Sequence, residues 1–201
     1  MIGSATADRI LNAVLYYAGW IGGVALFGLG MPTAGMAVTL SIALLHVALS
    51  ERRRSEAALV LAVSAVGFVV ESALAAANVV AYPHGRPTEW LCAPWIVTLW
   101  SLFATTLRFS MAWFTGHLVP AALLGAVAGP LSYRAGAAAG AVELSRGAIS
   151  LAVLAVVWSL VFSGLVVVTR RTGRGDGAGR YRRAFPLFRG PGPNRLPSPR
   201  P

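Results

Sequence analysis

The sequence predicts an all-α fold: a polytopic membrane bundle of about six transmembrane helices, followed by a disordered C-terminal tail rich in Arg, Gly and Pro. The 201-residue chain is apolar almost throughout from Asn12 to Thr169, and its arginine clusters lie outside that block or in one gap at 52–54. Only 12% of its residues are charged, about half of the roughly one quarter typical of soluble domains. We therefore expect a transmembrane domain over residues 1–169 and a basic tail over 170–201.

Six apolar segments approach the ~20 residues needed to cross ~30 Å of hydrocarbon. Met31-Pro32 ends the first, the charged run 51–54 ends the second, and the turn signal Tyr82-Pro83-His84-Gly85 ends the third. The fifth is the least regular, and the sixth is a clean Leu/Val/Ala helix. The predicted spans are 10–30, 33–50, 57–81, 90–115, 117–142 and 148–169.

The arginine distribution predicts the orientation, because arginine-rich loops stay in the cytoplasm. Cytoplasmic termini place Arg9, residues 52–54 and the tail inside, leaving only Arg86 and Arg146 in outer loops. We therefore expect a multi-pass protein of the bacterial inner membrane with both termini cytoplasmic. The alternative for the first span is a cleaved signal peptide, which its long apolar run disfavours.

Residues 170–201 contain no apolar pattern that could build a core. One interpretation is a solvated tail that stops membrane transfer. The other is a tail that also lies on anionic lipid, with Tyr181, Phe185 and Phe188 dipping into the interface.

The composition removes several kinds of chemistry. All 17 basic residues are arginine, so the chain has no lysine for a P-loop, a Schiff base or a general base. Cys92 is the single cysteine and is interpreted as a small apolar residue near a membrane boundary. No spacing indicates a metal site or a hydrolytic centre, and no cofactor is predicted. The arginines lie in loops and tail, which disfavours nucleic acid as a partner.

Polar side chains at membrane depth are the candidate functional residues, because they are costly there and usually face the bundle interior. Helical rise places Glu71 and Arg134 together in the outer half, and His46 and Arg108 nearer the cytoplasm. Glu71 has two interpretations: a carboxyl neutralised by Arg134 or by protonation, or a proton acceptor or cation ligand in a polar cavity. Arg108 either snorkels to headgroups or binds an anionic group, and His46 either packs or binds a ligand. The candidates for ligand binding or a polar core are Glu71, Arg134, Tyr133, His46, Arg108 and Asn78.

The fifth span carries a face of small residues, which lets helix backbones approach closely. Pro130 interrupts its hydrogen-bond ladder, since proline lacks the amide donor. The span is therefore either one kinked, tightly packed helix or a broken helix whose second half starts near Leu131. The predicted packing positions are Gly125, Gly129, Pro130, Gly136 and Gly140.

Two runs, Leu99-Trp100-Ser101-Leu102-Phe103-Ala104-Thr105-Thr106-Leu107 and Gly125-Ala126-Val127-Ala128-Gly129-Pro130-Leu131-Ser132-Tyr133, carry a family resemblance. Together with Gly19-Trp20, His46, Gly67 and Glu71, they make residues 10–169 resemble a family of small bacterial inner-membrane proteins of unknown function. The resemblance implies that the acid in the third span is usually Asp and that Asn is common at position 108, so Arg108 is not an essential catalytic group. It also implies an association with membrane-lipid-modifying enzymes of the cyclopropane-synthase type.

Three functions fit these observations. The first is a non-enzymatic membrane protein that binds or moves a small or lipidic ligand, or supports a lipid-modifying partner. The second is an intramembrane enzyme acting on lipid, with Glu71, His46 or Tyr133 in acid–base roles. The third is a structural subunit whose fifth helix packs against a membrane partner or a second copy.

Overall fold

The computed structural model describes residues 4–172 and 180–181. Within them the predicted all-α membrane fold is confirmed, with six α-helices, of which five are long and apolar enough to cross a membrane. Large apolar side chains such as Ile21, Leu61 and Leu160 lie exposed on these helices, as expected for surfaces that face lipid. The helices are α1 Ser4–Gly28, α2 Pro32–Leu49, α3 Arg53–Ala76, α4 Pro94–Ala104, α5 Leu118–Ala138 and α6 Ala148–Thr172.

The start of α1 and the end of α6 lie at the same end of the bundle, which we call the arginine-rich end. There the start of α1 lies beside the end of α2, since Asn12 contacts His46, and Arg108 contacts Thr172 at the end of α6. At the opposite end, strand β1 (Val80–Ala81) pairs antiparallel with β2 (Glu143–Leu144). The predicted tail residues 173–179 and 182–201, including Phe185 and Phe188, lie outside the described part of the chain.

The fourth segment is not the continuous helix over 90–115 that hydropathy predicts. α4 ends at Ala104, and turns lead to a 3-10 helix over Ala112–Gly116. The hydroxyls of Thr105 and Thr106 donate to the carbonyls of Leu102 and Phe103, and the backbone amides of 105–107 bond three residues back. Such local bonds compete with the helical ladder.

The side chain of Asn12 on α1 forms hydrogen bonds with the irregular segment that follows α4. Its Nδ2 donates to the carbonyl of Thr105 at 3.1 Å, and its Oδ1 accepts from the hydroxyl and amide of Ser110 at 2.8 and 3.3 Å. Non-helical backbone is tolerated at membrane depth when it is buried in protein and hydrogen-bonded. The broken helix therefore occurs in the fourth segment.

α5 is one continuous helix with Pro130 inside it, so the broken-helix interpretation of the fifth span is wrong. It packs on α6 through its small residues. A Cβ at Gly125 would lie 2.4 Å from the carbonyl oxygen of Trp158, and one at Gly129 would lie 2.4 Å from Trp158 Cγ. Gly136 faces Val142. Gly140 lies beyond the end of α5, in the turn that follows, with a positive φ of 80°.

Candidate functional site

Glu71 on α3 is fully buried and accepts hydrogen bonds from three different parts of the chain. The hydroxyl of Tyr82, in the loop after α3, donates to Oε2 at 2.6 Å. Trp100 Nε1 on α4 donates to Oε1 at 2.8 Å, and the hydroxyl of Tyr133 on α5 donates to the same oxygen. One carboxyl group therefore links α3, α4, α5 and the loop.

The buried face of α3 positions this carboxyl. Leu59, Val63, Gly67 and Glu71 follow a four-residue spacing, which places them on one side of the helix. A Cβ at Gly67 would lie 2.2 Å from Cγ of Trp100. The absence of a side chain at Gly67 thus lets the indole ring lie against α3 and reach Glu71, one turn away.

Burial and the nearby carboxylate fix the protonation state of the loop partner. Loss of solvent raises the pKa of Tyr82 well above its ordinary value, and the negative charge of Glu71 raises it further. The phenol therefore remains a hydrogen-bond donor. The pKa of the neighbouring Cys92 thiol is also raised, mainly by burial, so this residue stays a neutral thiol.

A cavity of about 250 Å³ adjoins Glu71 and is lined by residues of α1, α4, α5 and α6. Trp100 and Trp158 stack in its wall with ring centroids 4.9 Å apart. Tyr17, which also lines the cavity, is 58% exposed, so the space extends from the buried carboxyl to the surface of α1. The aromatic side chains that line it are Tyr16, Tyr17, Trp20, Trp95, Trp100, Phe103, Tyr133, Trp158 and Phe162.

Arg134 does not contact Glu71, so the pairing predicted from helical depth is wrong. Its side chain is exposed on α5, and it makes no ion pair with any residue that the structure describes. Consecutive helical residues point about 100° apart, so Tyr133 faces the carboxyl while Arg134 turns away. Asn78 does not line the cavity either: it is exposed after α3 with a φ of 53° and belongs to the helix end.

A second buried polar cluster lies at the arginine-rich end and contains Arg108, Glu56 and His46. Arg108 Nη1 lies 3.0 Å from Glu56 Oε1, and His46 Nε2 lies 3.5 Å from Glu56 Oε2. Arg108 also donates to Ser55 Oγ at 2.8 Å and to Thr172 Oγ1 at 3.0 Å. Because Arg108 is only 7% exposed and paired within the bundle, the snorkelling interpretation is wrong.

The sequence gives little sign of Glu56 as a site residue, because it follows the charged run 51–54 and precedes the predicted third span, 57–81. The structure begins α3 at Arg53, so Glu56 lies in the first helical turn. A signal was present: Glu56 lies three residues before Leu59 and continues the buried face of α3.

Tyr181 from the tail completes the second cluster. Its hydroxyl lies 3.0 Å from His46 Nδ1, its ring packs 4.7 Å from that of Phe109, and the carbonyl of Arg180 accepts from the amide of Glu51 at 3.1 Å. Burial raises the pKa of Tyr181 to about 12, so its hydroxyl stays protonated and can donate to the imidazole. The expectation that the tail has nothing to pack is therefore wrong at these two residues.

Comparison with known proteins identifies the chain by family. No curated protein and no solved structure matches it. In the described residues, no group of three or more His, Cys, Asp or Glu side chains is placed to hold a metal ion. The family model described as "Protein of unknown function (DUF2878)" matches residues 9–164, which covers most of the chain and excludes the tail. The predicted resemblance is thus confirmed, and the chain belongs to this family of unknown function.

Proposed function

We propose that this protein binds a small or lipidic ligand in the aromatic cavity beside Glu71, with access from the bilayer at the surface of α1. The observation that carries the proposal is the cavity itself: a space of about 250 Å³ with predominantly apolar walls, rich in aromatic side chains, and a fully buried carboxyl. Binding sites for small molecules have this composition, with apolar walls and a few placed polar groups.

The size of the cavity limits the ligand. Sites for drug-sized molecules typically enclose roughly 300–1,000 Å³. A space of about 250 Å³ therefore suits a small molecule, or the head and upper chain of a single-chain amphiphile. A two-chain lipid would have to leave most of its bulk outside.

The contacts at both clusters favour binding over catalysis. The oxygens of Glu71 already accept three protein donors, which makes this carboxyl a poor general base. His46 is surrounded by Glu56, Phe109 and Tyr181, so its ring is occupied by protein groups. A role as an acid–base enzyme has no comparable support from these contacts.

Blocking the cavity tests the proposal. Ala128 lines the cavity, whereas its neighbour Val127 is 59% exposed on the outer face of α5. We expect 12-bromododecanol to quench tryptophan fluorescence saturably in the wild type and in Val127→Phe, in nanodiscs of zwitterionic lipid. The Ala128→Phe variant should lose the saturable component, because its ring fills the cavity. Equal saturable quenching in both variants would contradict the proposal.

We also propose an inner-membrane location with both termini cytoplasmic, which the arginine distribution supports. Reporter fusions after Ser55 and after Thr172 should give cytoplasmic signals, and a fusion after Pro87 a periplasmic signal. A periplasmic signal from the C-terminal fusion would overturn this orientation.

Two further expectations stay predictions from the sequence. One is contact of the tail with anionic lipid, and the other is a membrane protein partner or second copy.

A further inference from the structure

We infer that the ligand carries a positively charged amine or quaternary ammonium group, which lies beside Glu71 while its apolar body occupies the aromatic cavity. This inference rests on the proposed function, because it assigns the chemical class of the ligand in the same cavity. It follows from the charge of the cavity lining, from the chemistry of its walls, and from a contrast with the second buried glutamate.

Among the residues that the structure describes, the cavity lining holds one acidic side chain and no basic one. Glu71 is the acid, and the residues that line the cavity include no Arg or His. The three groups that donate to Glu71 are two phenols and an indole, all of them neutral. Hydrogen bonds from neutral donors lower the cost of burying a carboxylate, but they leave its net charge in place.

The aromatic walls of the cavity also favour a positively charged ligand group. Aromatic rings attract cations to their electron-rich faces, tryptophan most strongly. Trp20, Trp95, Trp100 and Trp158 all line the cavity. The indole Nε1 of Trp158, which lies by the hydroxyl of Tyr133, is a neutral donor as well. This neutral donor does not offset the carboxylate, and an anionic ligand would meet uncompensated repulsion.

Glu56, the second buried glutamate, is by contrast paired with a cation of the protein itself. Glu56 is 2% exposed and is paired with Arg108 at 3.0 Å, with His46 nearby. Glu71 is equally buried, yet the nearest arginine along α5, Arg134, is exposed and turned away. In the described part of the chain, the buried acid that no cation neutralises is therefore the one that adjoins a cavity, and this arrangement leaves room for a cation supplied from outside.

The test compares three probes that share one bromododecyl chain: the trimethylammonium, the alcohol and the carboxylate. Binding is measured by tryptophan quenching in zwitterionic nanodiscs at neutral pH, and each concentration is corrected for partitioning into empty discs. We expect the ammonium probe to bind on the order of tenfold more tightly than the alcohol, a difference of about 1.4 kcal/mol. The carboxylate should bind most weakly.

Two variants connect the preference to Glu71. Glu71→Gln keeps the shape and an acceptor oxygen but removes the charge, so it should equalise the ammonium and alcohol probes. Ser132→Lys adds a cation to the cavity wall from α5 and should shift the preference towards the carboxylate. If Glu71→Gln does not fold, the wild-type ranking and the lysine variant still decide the outcome.

The outcomes separate the two proposals. Equal binding of ammonium and alcohol, with both blocked by Ala128→Phe, would overturn the cationic ligand and leave the binding function standing. Binding that Ala128→Phe leaves unchanged for all three probes would remove the binding function itself. An ammonium preference that survives in a folded Glu71→Gln variant would also overturn the inference.

Discussion

Replacement of Arg108 by methionine should strongly destabilise the folded protein. Arg108 provides the positive charge within 3.0 Å of Glu56, and both side chains are buried, with exposed fractions of 7% and 2%. Methionine keeps much of the apolar stem of arginine but removes the guanidinium. The variant therefore leaves the Glu56 carboxylate at the arginine-rich end without its ion pair to Arg108, beside His46 at 3.5 Å.

The magnitude follows from the cost of breaking a buried ion pair. Removing one partner of such a pair typically costs about 3–5 kcal/mol, because the remaining charge is uncompensated. The bonds from Arg108 to Ser55 and Thr172 are lost as well. In contrast, removing both charges often has little net cost. The double variant Arg108→Met/Glu56→Leu should therefore recover most of the stability that Arg108→Met loses.

Reversible unfolding in mixed detergent micelles measures these differences as free energies of unfolding. Arg134→Met is the matched control, because Arg134 is exposed and makes no ion pair in the described part of the chain. We expect this control to lie within about 0.5 kcal/mol of the wild type. If Arg108→Met were as mild as the control, or if the double variant were no better than the single one, the ion pair would not be the stabilising contact assigned here.

Two further predictions concern stability. Truncation after Thr172 should lower the free energy of unfolding by about 1–3 kcal/mol, since it removes the buried ring and hydroxyl of Tyr181. The Tyr181→Ala variant should reproduce most of this loss. An unchanged free energy of unfolding in both variants would mean that the tail does not dock. Gly67→Ala should cost about 1–3 kcal/mol or more, because its Cβ would lie 2.2 Å from the ring of Trp100. Gly164→Ala on α6, where a Cβ would meet no atom within 4 Å, is its control and should be neutral or slightly stabilising; equal effects in thermal unfolding would contradict the proposed packing at Gly67.

The helices could be predicted from sequence wherever the relevant property is local. Length and apolar content set α1, α2, α3, α5 and α6, because crossing the bilayer requires little else. The end of α4 could not be predicted in this way. It depends on Asn12, more than ninety residues away in sequence, which satisfies the irregular backbone after Ala104.

The sequence predicts the depth of the candidate site residues along their helices, but not the direction in which their side chains point. Helical rise places Glu71 at the level of Arg134, and it is the neighbour of that arginine, Tyr133, that donates to the carboxyl. It could not show that Arg134 points outward, because that depends on which face of α5 packs against α6. In the sequence, Trp100 and Tyr82 are recognisable only as parts of a motif and a turn, since nothing in the pattern indicates that an indole or a phenol will donate to a distant carboxyl.

α3 carries both buried acids on one face, and their different surroundings are a property of the fold. Glu56 and Glu71 are fifteen residues apart, or about 22 Å along the helix. The protein supplies Arg108 to the first and closes that cluster with Tyr181 from the tail. To the second it supplies only neutral donors and leaves a cavity beside it. The same chain neutralises one buried acid with arginine and leaves the other, among the described residues, without a cation but beside a cavity; a cationic ligand accounts for both features of Glu71.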